Sequence, residues 1–175
     1  MTGDDRPPIP AALLAQPALA IVRASSTEHV PAVVDVLIES GLRSLELTLT
    51  TPGALKALRA LQRRLPQNVA IGMGSVLTVD QARAAQDAGA QFLVTPSATP
   101  EVVEFCVEAR LPVMPGALTP SEIVTAWSRG ASAVKLFPAS LGGVRYLRDV
   151  RAPLPRVPLI PTGGVAIDSA AEWLD

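Results

Sequence analysis

Short apolar runs alternate with longer amphipathic stretches along almost the whole chain. The runs at 18–24, 44–49, 69–72, 91–94, 112–114, 132–137 and 157–160 predict strands. The stretches at 27–40, 52–65, 79–88, 100–109, 120–129, 143–150 and 166–174 predict helices. Ser26 or Thr27 is positioned to cap the first of these helices and Gly41 to stop it. Pro52 falls in the first turn of the second, and Gly89 closes the third. The strands are apolar nearly throughout, as strands buried on both faces should be. Seven strand–helix units of about 20–25 residues imply right-handed parallel crossovers and a compact (β/α) barrel.

The expected fold class is therefore α/β, a TIM-type (β/α) barrel forming a single domain over residues 1–175. Residues 1–17 read as an N-terminal extension with a short helix. An open doubly wound sheet is the alternative. Its dinucleotide fingerprint is missing from the first strand–helix turn, because Arg23-Ala24-Ser25-Ser26 contains no glycine. A (β/α) barrel has eight units and this chain supplies seven. The last helix runs to Trp173-Leu174-Asp175 without a glycine cap or polar tail, which predicts a chain cut short after the seventh unit. A compact seven-unit fold is the other possibility.

Composition narrows the function. The chain has 175 residues, 49% of them hydrophobic and 18% charged, with a formal net charge of -1. That suits one globular domain and gives no footprint for nucleic acid or an anionic membrane. The start of the chain, with Asp4, Asp5 and three early prolines, lacks the basic region of a signal peptide. No run is long and apolar enough to span a bilayer. Cys106 lies in an apolar helical pattern and reads as core; a single cysteine fits a cytoplasmic setting. His29 is the one histidine, at the polar start of a helix. So few histidines and cysteines leave little from which to build a catalytic metal site.

The candidate chemistry lies in the strands. Lys56 and Lys135 are the lysines, against 13 arginines. Lys56 shares a helix with Arg59 and Arg63 and reads as solvated. Lys135 is the sole charge in Ala133-Val134-Lys135-Leu136-Phe137. Strand side chains alternate, so Val134 and Leu136 toward the helices put Lys135 inside. Burial favours the neutral amine that a Schiff base requires. A structural lysine paired with a carboxylate fits the same pattern. Glu46, in Leu45-Glu46-Leu47-Thr48-Leu49, points inward by the same alternation. It is a candidate general acid/base, or the partner of Lys135 in a space-filling ion pair. Arg23 repeats the argument on the first strand. Three inward ionisable groups are costly in one small barrel, which favours an active site. Gly72-Met73-Gly74-Ser75 ends the third strand and Pro161-Thr162-Gly163-Gly164 the seventh. The second pair of glycines is placed either to cradle phosphate at a helix N-terminus or to make a tight turn.

Leu45-Glu46-Leu47-Thr48, Gly72-Met73-Gly74-Ser75-Val76-Leu77, Val94-Thr95-Pro96, Pro115-Gly116, Val134-Lys135-Leu136-Phe137-Pro138 and Pro161-Thr162-Gly163-Gly164 follow one another in a distinctive order. Together, over about residues 18–175, they resemble the 2-keto-3-deoxy-6-phosphogluconate (KDPG) aldolase / 4-hydroxy-2-oxoglutarate aldolase family, class I aldolases. KDPG aldolase belongs to the Entner–Doudoroff route. The resemblance implies that Lys135 forms the Schiff base and that Glu46 is the general acid/base, partly through a bound water. Ser75, where the family usually has threonine, would lie near the pyruvyl group. Thr95 and Pro96 would line the pocket, and Gly163 and Gly164 would hold the phosphate. Many members bind the substrate carboxylate with an arginine where this chain has Thr50; Arg23, kept on the first strand by some members, takes that role here. Members also continue into an eighth strand whose Gly-Ser turn completes the phosphate site.

The implied reaction is retro-aldol cleavage of a keto-acid phosphate to pyruvate and glyceraldehyde 3-phosphate, with no cofactor or metal, by a cytoplasmic homotrimer. Related substrates are 4-hydroxy-2-oxoglutarate and the galactonate-derived epimer. The competing readings are a phosphosugar isomerase or synthase on the same barrel, a metal-dependent aldolase, and an inactive barrel that only binds phosphorylated ligands or its own kind.

Overall fold

The computed structural model describes residues 6–174; Asp4, Asp5 and Asp175, named above, lie outside the described residues. In chain order the elements are α1 (Ala11–Ala15), β1 (Ala20–Val22), α2 (Val30–Glu39), β2 (Ser44–Thr48), α3 (Ala54–Gln62), β3 (Ala70–Gly74), α4 (Val79–Asp87) and β4 (Leu93–Val94). There follow α5 (Pro100–Glu108), β5 (Val113–Met114), β6 (Gly116–Ala117), α6 (Pro120–Ser128), β7 (Val134–Leu136), α7 (Gly143–Arg151) and β8 (Leu159–Pro161). A 3₁₀ turn covers Ala139–Leu141 and a 3₁₀ helix covers Ile167–Trp173.

All strand pairings are parallel. One sheet has the order β1-β2-β3-β4-β5 and the other β6-β7-β8. The break between them falls at Pro115, which has no N–H to give to a ladder. Residues on either side of it serve both neighbours. The Ser132 N–H donates to the Val113 carbonyl at 2.9 Å, and the Lys135 N–H donates to the Pro115 carbonyl at 2.9 Å. Strands therefore follow one another in chain order without the reversal of a doubly wound sheet. Among the described residues no ladder joins β8 to β1.

The two faces of this array differ. Leu45, Leu47, Ile71, Met73, Leu93 and Val113 pack with buried residues of α2 to α5, including Val34, Leu58, Ala85 and Cys106. Val134 and Leu136 pack with Ile123, Ala126, Leu147 and Val150 of α6 and α7. The opposite face carries its own cluster: Ala70, Phe92, Val94, Met114 and Ala133, with Leu13 of α1 and, partly buried, Leu19 and Ile160. Those residues come from β1's lead-in, β3, β4, β5, β7's lead-in and β8. The cluster thus runs across neighbouring strands on one face, with α1 packed on it.

Several element limits differ from those read in the sequence. Helix α2 starts at Val30, and His29 stands at its N-cap with no side-chain cap bond. Ser26 and Thr27 do not cap it. The Ser26 hydroxyl instead accepts from the Glu28 N–H at 3.4 Å, and the Thr27 carbonyl accepts from the Val30 N–H at 3.3 Å. These local bonds compete with the cap, and Pro31 then sets the first turn. Pro52 lies before α3 rather than in its first turn, because Gly53 at φ +82° delays the helix. The third strand runs on to Gly74, since Gly72 and Gly74 pair with Glu46 and Thr48. The last helix is 3₁₀ in geometry and buries no residue fully; Trp173, partly buried against the α6–α7 core, anchors it, too little to hold it as an α-helix.

Candidate active site

Among the described residues Glu46 and Lys135 are the two acidic or basic side chains that are buried, at 2% and 8% exposure. Strand alternation delivers them. Leu45 and Leu47 of β2, and Val134 and Leu136 of β7, enter the helix-facing core, so Glu46 and Lys135 face the other way. The ladder puts Lys135 opposite Gly116 and Glu46 opposite Gly72 and Ile21. The glycines leave room. A Cβ at Gly74 would overlap the Glu46 carboxyl group, and one at Gly116 would overlap the Pro96 carbonyl.

Glu46 and Lys135 do not form an ion pair. Among the described residues the salt bridges are Arg64–Asp35, Arg129–Glu104 and Arg145–Asp149. Glu46 Oε2 is buried without any hydrogen-bond partner. A buried carboxylate without partners pays the full cost of desolvation, so burial pushes Glu46 up from 4.5 to about 7, with Lys135 and then Arg23 pulling the other way. Burial lowers the Lys135 amine below its ordinary value; Glu46 opposes that shift and Arg23 adds to it. The Lys135 Nζ stands 4.7 Å from the centroid of the Phe137 ring. The pair thus combines a proton carrier poised near neutrality with an amine biased toward its nucleophilic form.

Arg23 follows β1 and is exposed, yet its charge is felt by both Glu46 and Lys135. Beside it lies a set of hydroxyls. Thr51 Oγ1 accepts from the Ala24 N–H at 3.1 Å and lies 3.3 Å from Thr48 Oγ1, which accepts from the Thr50 hydroxyl at 3.0 Å. Ser75 follows Gly74 directly and adopts φ +62°, a left-handed conformation uncommon outside glycine. Thr95 is buried, its hydroxyl donating to the Ser97 carbonyl at 2.5 Å, and Pro96 packs over Gly116.

Gly163 and Gly164 sit at φ +85° and +84° after β8. The 3₁₀ turn that follows the lysine strand docks on them. The Ala139 N–H donates to the Thr162 carbonyl at 2.8 Å and the Ser140 N–H to the Gly163 carbonyl at 2.9 Å. A Cβ at Gly163 would press on the Phe137 ring, and one at Gly164 would meet the Ser140 side chain. The N–H groups of Gly163 and Gly164 donate no hydrogen bond among the described residues, which leaves two free donors side by side. They border a cleft of about 800 Å³ between α1 and β1 on one side and β8 on the other.

All eight of these residues stand out in the sequence, but of those that shape their surroundings Gly74, Gly116 and Phe137 stand there only inside motifs, without a role, and Ser140 and Thr51 do not stand out at all. Each acts across a long sequence separation, which no local pattern carries. Lys56 and His29, set aside as solvated, are exposed, and Cys106 is buried with its thiol pushed up to about 12. Among the described residues no helix is long and apolar enough to cross a membrane, and no cluster of three or more His, Cys, Asp or Glu residues could hold a metal ion.

The comparisons with known proteins fit this geometry. A 2-dehydro-3-deoxy-phosphogluconate aldolase of Pseudomonas aeruginosa is 40% identical over 141 residues, covering 80% of this chain and 64% of the relative. The chain thus spans just under two thirds of that protein. A crystal structure of KDPG aldolase from Legionella pneumophila, with pyruvate captured at low pH as a covalent carbinolamine intermediate, matches with a TM-score of 0.87. Its identity is 32%, over 94% of this chain and 80% of that one. A cube-shaped, highly porous protein cage, designed by fusing symmetric oligomeric domains, matches with a TM-score of 0.85 at 32% identity, over 90% of this chain and 58% of that chain. The family model for KDPG and KHG aldolase covers residues 9–175, and the chain belongs to that family.

Proposed function

We propose that this chain is a class I aldolase that cleaves 2-keto-3-deoxy-6-phosphogluconate to pyruvate and glyceraldehyde 3-phosphate through a Schiff base on Lys135. The observation that carries the reading is the buried, unpaired Glu46 carboxyl, near enough to the buried Lys135 amine for each charge to act on the other. The neutral amine attacks the C2 ketone, and loss of water from the carbinolamine gives an iminium. The C4 hydroxyl proton passes to Glu46, the C3–C4 bond breaks, and its electron pair flows into the iminium to give an enamine. The aldehyde fragment leaves. Return of a proton to C3 and hydrolysis of the iminium release pyruvate and free the amine. In this reading the exposed Arg23 guanidinium meets the substrate carboxylate, and Ser75, Thr95 and Pro96 border the pyruvyl group. The free N–H groups of Gly163 and Gly164 meet the phosphate.

The captured carbinolamine in the Legionella relative supports the covalent step. The family description, which covers KHG as well as KDPG aldolases, supports 4-hydroxy-2-oxoglutarate as a second substrate, cleaved to pyruvate and glyoxylate. We further propose that the parallel strands are staves of a TIM-type barrel within a single domain, an arrangement favoured by their sequential order and by the cluster on the inner face. Assembly as a homotrimer in the cytoplasm completes the reading. The match to a cage made of symmetric oligomeric domains and the lone buried thiol favour it.

The test is pyruvate release from both substrates by the protein and by its Arg23→Ala variant. The reading expects cleavage of at least the phosphorylated substrate and a raised KM for the variant on both. An Arg23→Ala effect confined to the phosphorylated substrate would move Arg23 to the phosphate end, and no release from either substrate would overturn the proposed activity.

A further inference from the structure

We infer that the buried hydroxyl of Thr51 is a positioning residue, which sets where the Arg23 guanidinium emerges over the site. The inference rests on the proposed role of Arg23 as the group that meets the substrate carboxylate.

Three observations carry it. Strand β1 is held by its ladder to β2 only through Val22, whose register partner is Leu47. Beyond Val22 the chain leaves the ladder. Its next fixed point is the Ala24 N–H, which donates to Thr51 Oγ1 at 3.1 Å. Arg23 lies between these two anchors. Secondly, nothing holds the Arg23 side chain itself: among the described residues it has neither a salt bridge nor a hydrogen bond, and it is exposed. Its direction is therefore inherited from the backbone on each side. Thirdly, Thr51 is fixed and dry. It is 3% exposed, its N–H donates to the Thr48 carbonyl at 2.9 Å, and its carbonyl accepts from the Ala54 N–H at 3.1 Å at the start of α3. Its hydroxyl lies 3.3 Å from Thr48 Oγ1, on the strand face that carries Glu46. Water cannot easily replace a buried hydroxyl that is locked in this way, so the bond to Ala24 is not traded for solvent. The arrangement ties the loop that carries Arg23 to the strand that carries Glu46. A carboxylate recognised by Arg23 is then held at a fixed place relative to the proton carrier.

The experiment compares the wild-type protein with Thr51→Val, Thr51→Ser, Thr51→Ala and Arg23→Ala. Each is assayed by the pyruvate concentration that half-saturates borohydride trapping, by the trapping rate at saturation, and by the pH profile of cleavage. Thr51→Val keeps the shape and removes the hydroxyl. It should raise half-saturation by about five- to tenfold, the loss expected for one buried hydrogen bond, with the saturated rate little changed. Thr51→Ser should restore the wild-type value. Because Arg23 lowers the Glu46 pKa, a displaced guanidinium should also move the acid limb of the profile to higher pH in Thr51→Val. A purely structural threonine would move neither quantity. If Thr51→Val does not fold, Thr51→Ala is read in its place. Unchanged half-saturation and pH profile in Thr51→Val, alongside a raised half-saturation in Arg23→Ala, would overturn the inference and leave the role of Arg23 standing. Unchanged values in Arg23→Ala would overturn the assignment of Arg23 on which the inference rests.

Discussion

At the scale of single residues, the account turns on a carboxyl group kept dry. Glu46 has its pKa raised to about 7 in the fold, against 4.5 unperturbed. A raised carboxyl pKa contributes stability that is fully present below pH 4.5 and is lost as pH rises through about 7. Glu46→Gln keeps the shape without the charge. It should therefore melt close to wild type in acid and above wild type beyond pH 7, by up to roughly 3 kcal/mol of unfolding free energy. Its turnover should drop by about 10²–10⁴, the range for a lost general acid/base. Thermal melts across pH together with cleavage rates test both; equal melts at every pH would mean that Glu46 is not buried in its charged form. Gly74 makes the second residue-scale case. A side chain there would overlap the Glu46 carboxyl. Gly74→Ala should lower turnover toward that of Glu46→Gln at a stability cost of about 1–3 kcal/mol. A Gly74→Ala protein with wild-type turnover would show that the carboxyl has other room. Alternation made Glu46 and Lys135 legible in the sequence, because each interrupts an apolar run whose neighbours face the helices; Arg23, read as inward by the same argument, lies past the end of β1 and is exposed. Gly74 and Gly116 were not legible as spacers, since what they make room for lies on other strands.

At the scale of elements, the seven strand–helix units are readable because each strand is a short apolar run followed by a longer amphipathic stretch. The capping box of α6 shows how locally such a signal acts: Thr119 accepts from the Glu122 N–H at 3.3 Å and Glu122 accepts from the Thr119 N–H at 2.8 Å. Where the reading failed, another force had won. Local bonds to the Ser26 hydroxyl and the Thr27 carbonyl displaced the expected cap of α2, and Gly53 delayed α3 past Pro52. The split of one strand into β5 and β6 at Pro115 follows from the missing N–H. The inner cluster, by contrast, has no signature in any one segment, because Phe92, Met114 and Ala133 come from three different strand segments and Leu13 from α1. Phe92 is its largest fully buried member and also lies against Gly72. Phe92→Ala should cost about 3–5 kcal/mol in denaturant unfolding, a value for an aromatic removed from a packed core. A loss below 1 kcal/mol would mean that the inner face is not close-packed.

At the scale of the molecule, parallel strands in sequential order bring Glu46 of β2 and Lys135 of β7, five strands apart in the array, within reach of each other's charge. In the proposed reading, residues 89 positions apart then act on one substrate. Among the described residues the outer edges of β1 and β8 carry no ladder partner and border the apolar cleft, with Leu14, Ile21 and Ile167 among its exposed residues. The central claim is that the buried amine of β7 attacks a keto acid. It is tested most directly by incubating the protein with pyruvate, reducing with borohydride, and mapping the modified peptide by mass. The account predicts one reduced pyruvyl adduct per chain, on Lys135, absent from Lys135→Ala. An adduct on Lys56, or none on Lys135 with the protein folded, would contradict it.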